Sequence, residues 1–140
     1  MPFTTPSRVA LIETEHATLW LHPHAGILHH KIHGHVPPGA ARELFAASLA
    51  CRERHQASKW LFDDRENARI GETLAQWGRF ARQAGLVCWA IVLPTSTIGK
   101  MQTLRFVDES MGLGVLVKAF RHDDDALRWL ESLREEKAAD

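Results

Sequence analysis

Six of the chain's nine histidines fall within fifteen residues, LHPHAGILHHKIHGH, Leu21 to His35. Imidazoles at this density suit metal coordination, proton transfer or pH sensing. A metal site needs three or four ligands converging on one centre, with imidazole nitrogens ~2.1 Å from zinc. The alternation in GILHHKIHG, Gly26 to Gly34, predicts a strand. It places Leu28, His30 and Ile32 on one face and Ile27, His29, Lys31 and His33 on the other. On such a strand His29 and His33 share a face but stand roughly 13 Å apart. His33 and His35 are closer, at ~6.6 Å, if the strand runs that far. His22 and His24 flank a turn through Pro23. The spacing predicts that His29, His33 and His35 face solvent and that His30 is hydrogen-bonded at the core edge. His29, His33 and His35 are the candidate metal ligands, and no ion is assigned to them.

Two other groups carry candidate chemistry. SKWLFDD, Ser58 to Asp64, ends a strand-like run on two acids. Ligands of open α/β sheets gather beyond such strand ends, at a switch in strand order. Asp63 and Asp64 could hold Mg²⁺ there. Alternatively, one caps the next helix and the other pairs with Arg65 or Arg69. PTSTIGK, Pro94 to Lys100, also joins a strand to a helix. Thr95, Ser96, Thr97 and Lys100 make it the best small-anion cradle in the chain, or a set of helix caps. Neither GxxxxGK[ST] nor GxGxxG occurs in a suitable place. Cys51 and Cys88 sit in apolar surroundings, form no CxxC pair and read as buried free thiols. No GxSxG elbow is present. No catalytic residue and no cofactor is assigned, and an enzyme is the least supported reading.

The elements that must position these residues are legible in the periodicity. Arg8–Thr14, Ala17–His22 and Gly26–Gly34 read as three strands joined by short links, an antiparallel meander. Pro37-Pro38 then opens a helix with Ala41, Leu44, Phe45, Ser48 and Cys51 on its inner face. The strand Ser58–Asp64 follows, then a helix with the stripe Ile70, Leu74, Trp77, Ala81 and Ala84, stopped by Gly85. Leu86–Pro94 is apolar throughout, as in a strand covered on both faces. The next helix carries Ile98, Met101, Leu104, Val107 and Met111, read as its core-facing stripe, with a small apolar pocket possible beneath it. Val115–Phe120 is a strand, and HDDDALRWLESL starts with acids that suit a helix N-terminus. That last helix buries Ala126, Leu127, Leu130 and Leu133. The order is βββαβαβαβα, an α/β fold with a mixed sheet of about six strands and four main helices. One domain spans 1–140, and its polar tail is expected to fray from about residue 134.

Composition narrows the functional classes. Lys plus Arg and Asp plus Glu each number 17, so the formal charge is zero. A neutral domain has no bulk attraction for nucleic acid or anionic membrane. No apolar run reaches membrane-spanning length, and the start lacks the pattern of a signal peptide. A cytoplasmic protein is expected. The five tryptophans and six phenylalanines lie mostly on apolar stripes, which assigns them to the core.

The meander, the βα units, the apolar strand VCWAIVLP and the closing AFRHDDDALRWLESL resemble the small bacterial STAS/Sec14-like (CRAL-TRIO-like) proteins, relatives of the anti-sigma-factor antagonists. The similarity runs from about Arg8 to Leu133. It is best in GILHHKIHGHV and KWLFDDR. It implies a regulatory binding domain. In the antagonist branch a Ser or Thr after an Asp takes a phosphate at a helix start. Here Arg65, Glu66 and Asn67 occupy that place after Asp63 and Asp64, so the switch is not carried over.

The expected function is non-catalytic binding of a protein partner through a crevice formed by Asp63, Asp64, Arg65 and Asn67 with Thr95, Ser96, Thr97, Lys100 and Met101. The alternative is carriage of a small apolar ligand under the Ile98–Met111 helix, and metal binding by histidine is weaker still. A monomer and a homodimer paired through the exposed first strand are both compatible with the sequence. Calorimetric titration with zinc at neutral pH is expected to show no micromolar, stoichiometric binding. A one-to-one isotherm abolished in the His33→Ala, His35→Ala double variant would reverse the assignment of the histidines.

Overall fold

The computed structural model describes residues 8–110 and 114–139, without the side chains at 72 and 134–139. Met111 of the predicted stripe lies outside the described residues. The elements are β1 (Val9–Glu13), β2 (Ala17–His22), β3 (Ile27–Ile32), α1 (Pro38–His55), β4 (Lys59–Asp63), α2 (Ile70–Gln83), β5 (Cys88–Val92), α3 (Thr97–Glu109), β6 (Leu116–Phe120) and α4 (Asp123–Ala139). This is the α/β architecture expected, in the expected order. The six strands pair in chain order, β1-β2-β3-β4-β5-β6. The first three are antiparallel, and β3 to β6 run parallel.

Each parallel step moves one place in the same direction, so right-handed crossovers lay α1, α2 and α3 on the same face. The core beneath them joins Leu19, Leu28, Trp60, Phe62, Trp89 and Ile91 of the sheet to Leu44, Phe45, Leu74 and Trp77 of the helices. It is largely aromatic: Trp77 meets Trp60 at 5.6 Å and Phe62 at 4.8 Å between ring centroids, both edge to face. A smaller core on the opposite face packs Ala126 and Leu130 of α4 against Ile27, Leu61, Cys88, Ala90 and Val92. β4 and β5 are therefore buried at every residue.

One helix is rotated from its predicted orientation. Ile98, Met101 and Leu104 of α3 face outward, and Val107 is half-buried. The inner face is Gly99 and Thr103, with Phe106 against Trp89 at 5.4 Å between ring centroids. The cause is close packing at the first turn. A Cβ on Gly99 would lie 2.8 Å from Pro94 Cγ and 2.7 Å from Ser96 Oγ. The Ser96 hydroxyl accepts from the Gly99 N–H at 3.0 Å and caps the helix in this phase. Thr103 satisfies its buried hydroxyl by donating to the Gly99 carbonyl. Hydrophobic periodicity favoured the apolar residues; steric fit selected the small ones.

Gly99→Ala is expected to cost about 1–3 kcal/mol by overpacking, measured by urea unfolding. Ile98→Ala, one residue away on the outer face, is expected to stay within about 0.5 kcal/mol of wild type.

Candidate functional site at the carboxyl edge of the parallel strands

The parallel register aligns Asp63, Val92 and Phe120 across β4, β5 and β6. The next residues, Asp64, Leu93 and Arg121, therefore leave the sheet at one edge. Backbone bonds hold the row together: the Asp64 N–H donates to the Val92 carbonyl, and the Leu93 N–H to the Phe120 carbonyl. The strand order never reverses, so the switch point anticipated for the ligand site does not occur. A cleft of about 560 Å³ forms at this edge instead, lined by Arg65, Leu93, Pro94, Thr95, Lys100, Leu104 and Arg121. A second hollow, of about 420 Å³, lies between the starts of α2 and α3 and takes in Ser96, Thr97, Ile98 and Gln102.

The predicted site residues divide among different environments. Arg65, Thr95 and Lys100 line the cleft. Ser96 and Thr97 line the neighbouring hollow, and Met101 stands on the outer face of α3. Asp63 and Asp64 are both buried and line neither. Asp63 accepts from Arg65 Nε at 2.9 Å and from Arg65 Nη2 at 2.6 Å, a two-pronged ion pair. Burial pushes its carboxyl up, but the hydrogen bonds and charge of Arg65 outweigh burial and hold it below its ordinary value. Asp64 turns into the interior beneath α2 and accepts from Asn67 Nδ2 at 3.2 Å. Burial raises it to about 7 against the pull of Asn67, and the charge of Asp63 adds to the rise. It borders an internal void of about 10 Å³ shared with Thr73 and Trp89. Asn67 itself accepts from the Arg69 N–H and shapes the turn into α2. The two acids thus sit in separate surroundings, one paired and one secluded.

Sequence reasoning missed Arg121, Leu93 and Leu104 as lining residues. Arg121 had a usable signal, since it directly follows a strand parallel to the one ending at Asp63. Leu104 had none, because its periodicity pointed inward.

The histidines do not gather. His29 is not solvent-facing as predicted: it is 1% exposed. Its ring packs on Trp20 and His22 of β2, and His22 Nε2 is hydrogen-bonded to His29 Nδ1 at 3.0 Å. Burial, with the charges of His22 and Arg8, lowers His29 to about 3. His30, on the opposite face, is fully buried, 3.2 Å from Ser48 Oγ, and stacked on Phe62. Burial takes it to about 3 as well. β3 ends at Ile32 and Gly34 adopts φ +71°, so the strand stops short of His35. His33 Nε2 lies 2.9 Å from Thr18 Oγ1, and its Nδ1 is 3.8 Å from Glu66. The His35 carbonyl lies 3.3 Å from His16 Nδ1. Among the described residues, no three His, Cys, Asp or Glu side chains come together as ligands of one ion.

Comparison with protein-family models, curated proteins and solved structures finds no match to this chain.

The buried titrations carry opposite signs. His29 and His30 are depressed on folding, so they contribute stability above pH 6.5 that is lost as pH falls toward 3. Asp64 is raised, so its contribution is full below 3.8 and is lost as pH rises toward 7. In the overlap from about pH 4 to 6.5 the two histidines outweigh the one acid, and stability rises with pH. Asp64→Asn removes the opposing slope. Urea unfolding at pH 4.5, 6 and 8 is expected to show a steeper pH dependence in the variant. Its stability relative to wild type should grow toward pH 8 by on the order of 2–4 kcal/mol.

Proposed function

We propose that the domain is a non-catalytic, cytosolic binding module of STAS-like type that docks a protein partner on the outer face of α3. The observation that carries this reading is the exposure of Ile98, Met101 and Leu104, at 70%, 66% and 48%. Their i, i+3, i+6 spacing forms one apolar ridge along the helix. Exposed apolar residues scattered singly are ordinary on a protein surface, but a contiguous ridge rimmed by polar groups is the composition of an interface core. Lys100, Gln102 and Arg105 are exposed beside it and supply that rim. Met101 adds a side chain that adapts to the shape of its partner. The order of elements, and its resemblance to STAS proteins, supports the same reading. Among the described residues no helix is long and apolar enough to cross a membrane.

A second reading, carriage of a small apolar ligand, draws on a different place from the one the sequence suggested. The hollow of about 680 Å³ lies between the β1–β2 pair and α1, not under α3. Ile12, Val36, Ala40 and Leu44 supply its apolar walls, and Glu15, His16 and Glu43 also line it.

The ridge is tested with an Ile98→Ser, Met101→Ser variant used as bait beside wild type in the native host, with crosslinking and mass spectrometry. The variant is expected to keep the wild-type circular dichroism and melting temperature and to lose a partner that wild type captures. Equal capture of that partner by both baits would refute docking on α3.

A further inference from the structure

We infer that the cleft at the carboxyl edge of β4–β6 binds a small amphipathic anion: a phosphate or carboxylate carried on an apolar body. The cleft adjoins the ridge proposed for partner docking and shares Lys100 and Leu104 with it, but the inference does not rest on that docking. Three cationic side chains, Arg65, Lys100 and Arg121, line the cleft, and among the described residues no acidic side chain does. They come from three different chain segments: the loop after β4, the first turns of α3 and the residue following β6. In a chain whose formal charge is zero, three cations around one cleft with no acid in its lining is a local excess of one sign.

The charges are not equally available. Arg65 is engaged by Asp63 on two prongs, and its Nη2 is also 3.6 Å from Asp123 Oδ2. Asp63 thereby holds the guanidinium at the cleft wall. Lys100 and Arg121 have no ion pair or hydrogen bond through their side chains among the described residues. Both are exposed to solvent at the cleft. These two supply the free charge. An anion between them would gain charge-assisted hydrogen bonds at no cost of breaking an existing pair.

The remaining lining sets the shape of the ligand. Leu93, Pro94 and Leu104 form apolar wall, and Thr95 adds a hydroxyl. A volume of about 560 Å³ exceeds the needs of a bare inorganic ion and falls in the range of small-molecule sites. A lining that combines cations with apolar side chains matches a ligand that is charged at one end only.

The probes are phenyl phosphate, benzoate, inorganic phosphate and benzyl alcohol, titrated into the full chain by calorimetry and followed by amide NMR shifts. Wild type is expected to bind phenyl phosphate or benzoate saturably at one site, with shifts centred on residues 93–95, 100 and 121. Inorganic phosphate should bind about tenfold more weakly, and benzyl alcohol should not saturate. Lys100→Gln with Arg121→Gln should weaken binding about tenfold or more and flatten its salt dependence. The Ile98→Ser, Met101→Ser variant, changed outside the cleft lining, should bind the anion as wild type does, which distinguishes anion binding from docking on the ridge. The inference fails if neither aromatic anion saturates wild type. It also fails if inorganic phosphate or benzyl alcohol binds as well as they do, or if the Lys100, Arg121 variant, folded by circular dichroism, binds unchanged.

Discussion

Complete burial of β4 on both faces is the constraint from which the rest of the structure follows. Its five residues alternate between two cores, Trp60 and Phe62 toward α1 and α2, Leu61 toward α4. Neither layer of helices alone could cover it. The strand also begins and ends on a charged residue, and each must be satisfied where it is buried. Lys59 Nζ donates to the Leu130 carbonyl of α4 at 2.5 Å. Asp63 is held by Arg65 from the following loop. The polar ends of a buried strand thus tie the sheet to α4 on one side and bring a cation to the cleft on the other.

The aromatic core follows from the same constraint. The face of β4 and β5 under the three helices presents Trp60, Phe62 and Trp89, and the helices meet these large rings with Phe45, Trp77 and Phe106. Pro94 and Ser96 of the preceding loop leave α3 little room at its first turn, so it approaches through Gly99 and Thr103. Its larger residues face outward. The apolar ridge is in this sense the counterpart of the close-packed turn behind it.

The architecture was legible because its elements carry either a periodic apolar pattern or, as in β5, an unbroken apolar run. The stripe Ile70, Leu74, Trp77, Ala81, Ala84 of α2 is buried as spacing requires, and the stop at Gly85 has φ +65°. The alternation of β3 placed every side chain on its correct face. What alternation cannot report is whether the second face is covered. His29 was assigned to solvent because it is polar, yet Trp20 and His22 from the neighbouring strand close over it. α3 was misread for a related reason: three apolar residues in helical register outweigh a glycine in any periodic sum, while packing is decided by contact distance. The site was legible in part. Arg65, Thr95 and Lys100 could be gathered from the loops after two parallel strands and the helix start that follows the second. Arg121 and the seclusion of Asp64 needed the register between strands, which no single segment contains.

The unbroken sequence of strand neighbours has a consequence for how the molecule is made. Every strand after the first pairs with the one synthesised just before it, so the sheet can grow in the order of translation without leaving a gap to be filled later. Closure of each parallel step spans only one helix and its links, which keeps the entropic cost of each addition small. The exception is α4, the last element, which lies back across β4 and β5. Until it emerges, Leu61, Ala90 and Val92 have no cover, and the nascent chain carries a sheet with one greasy side open to its surroundings.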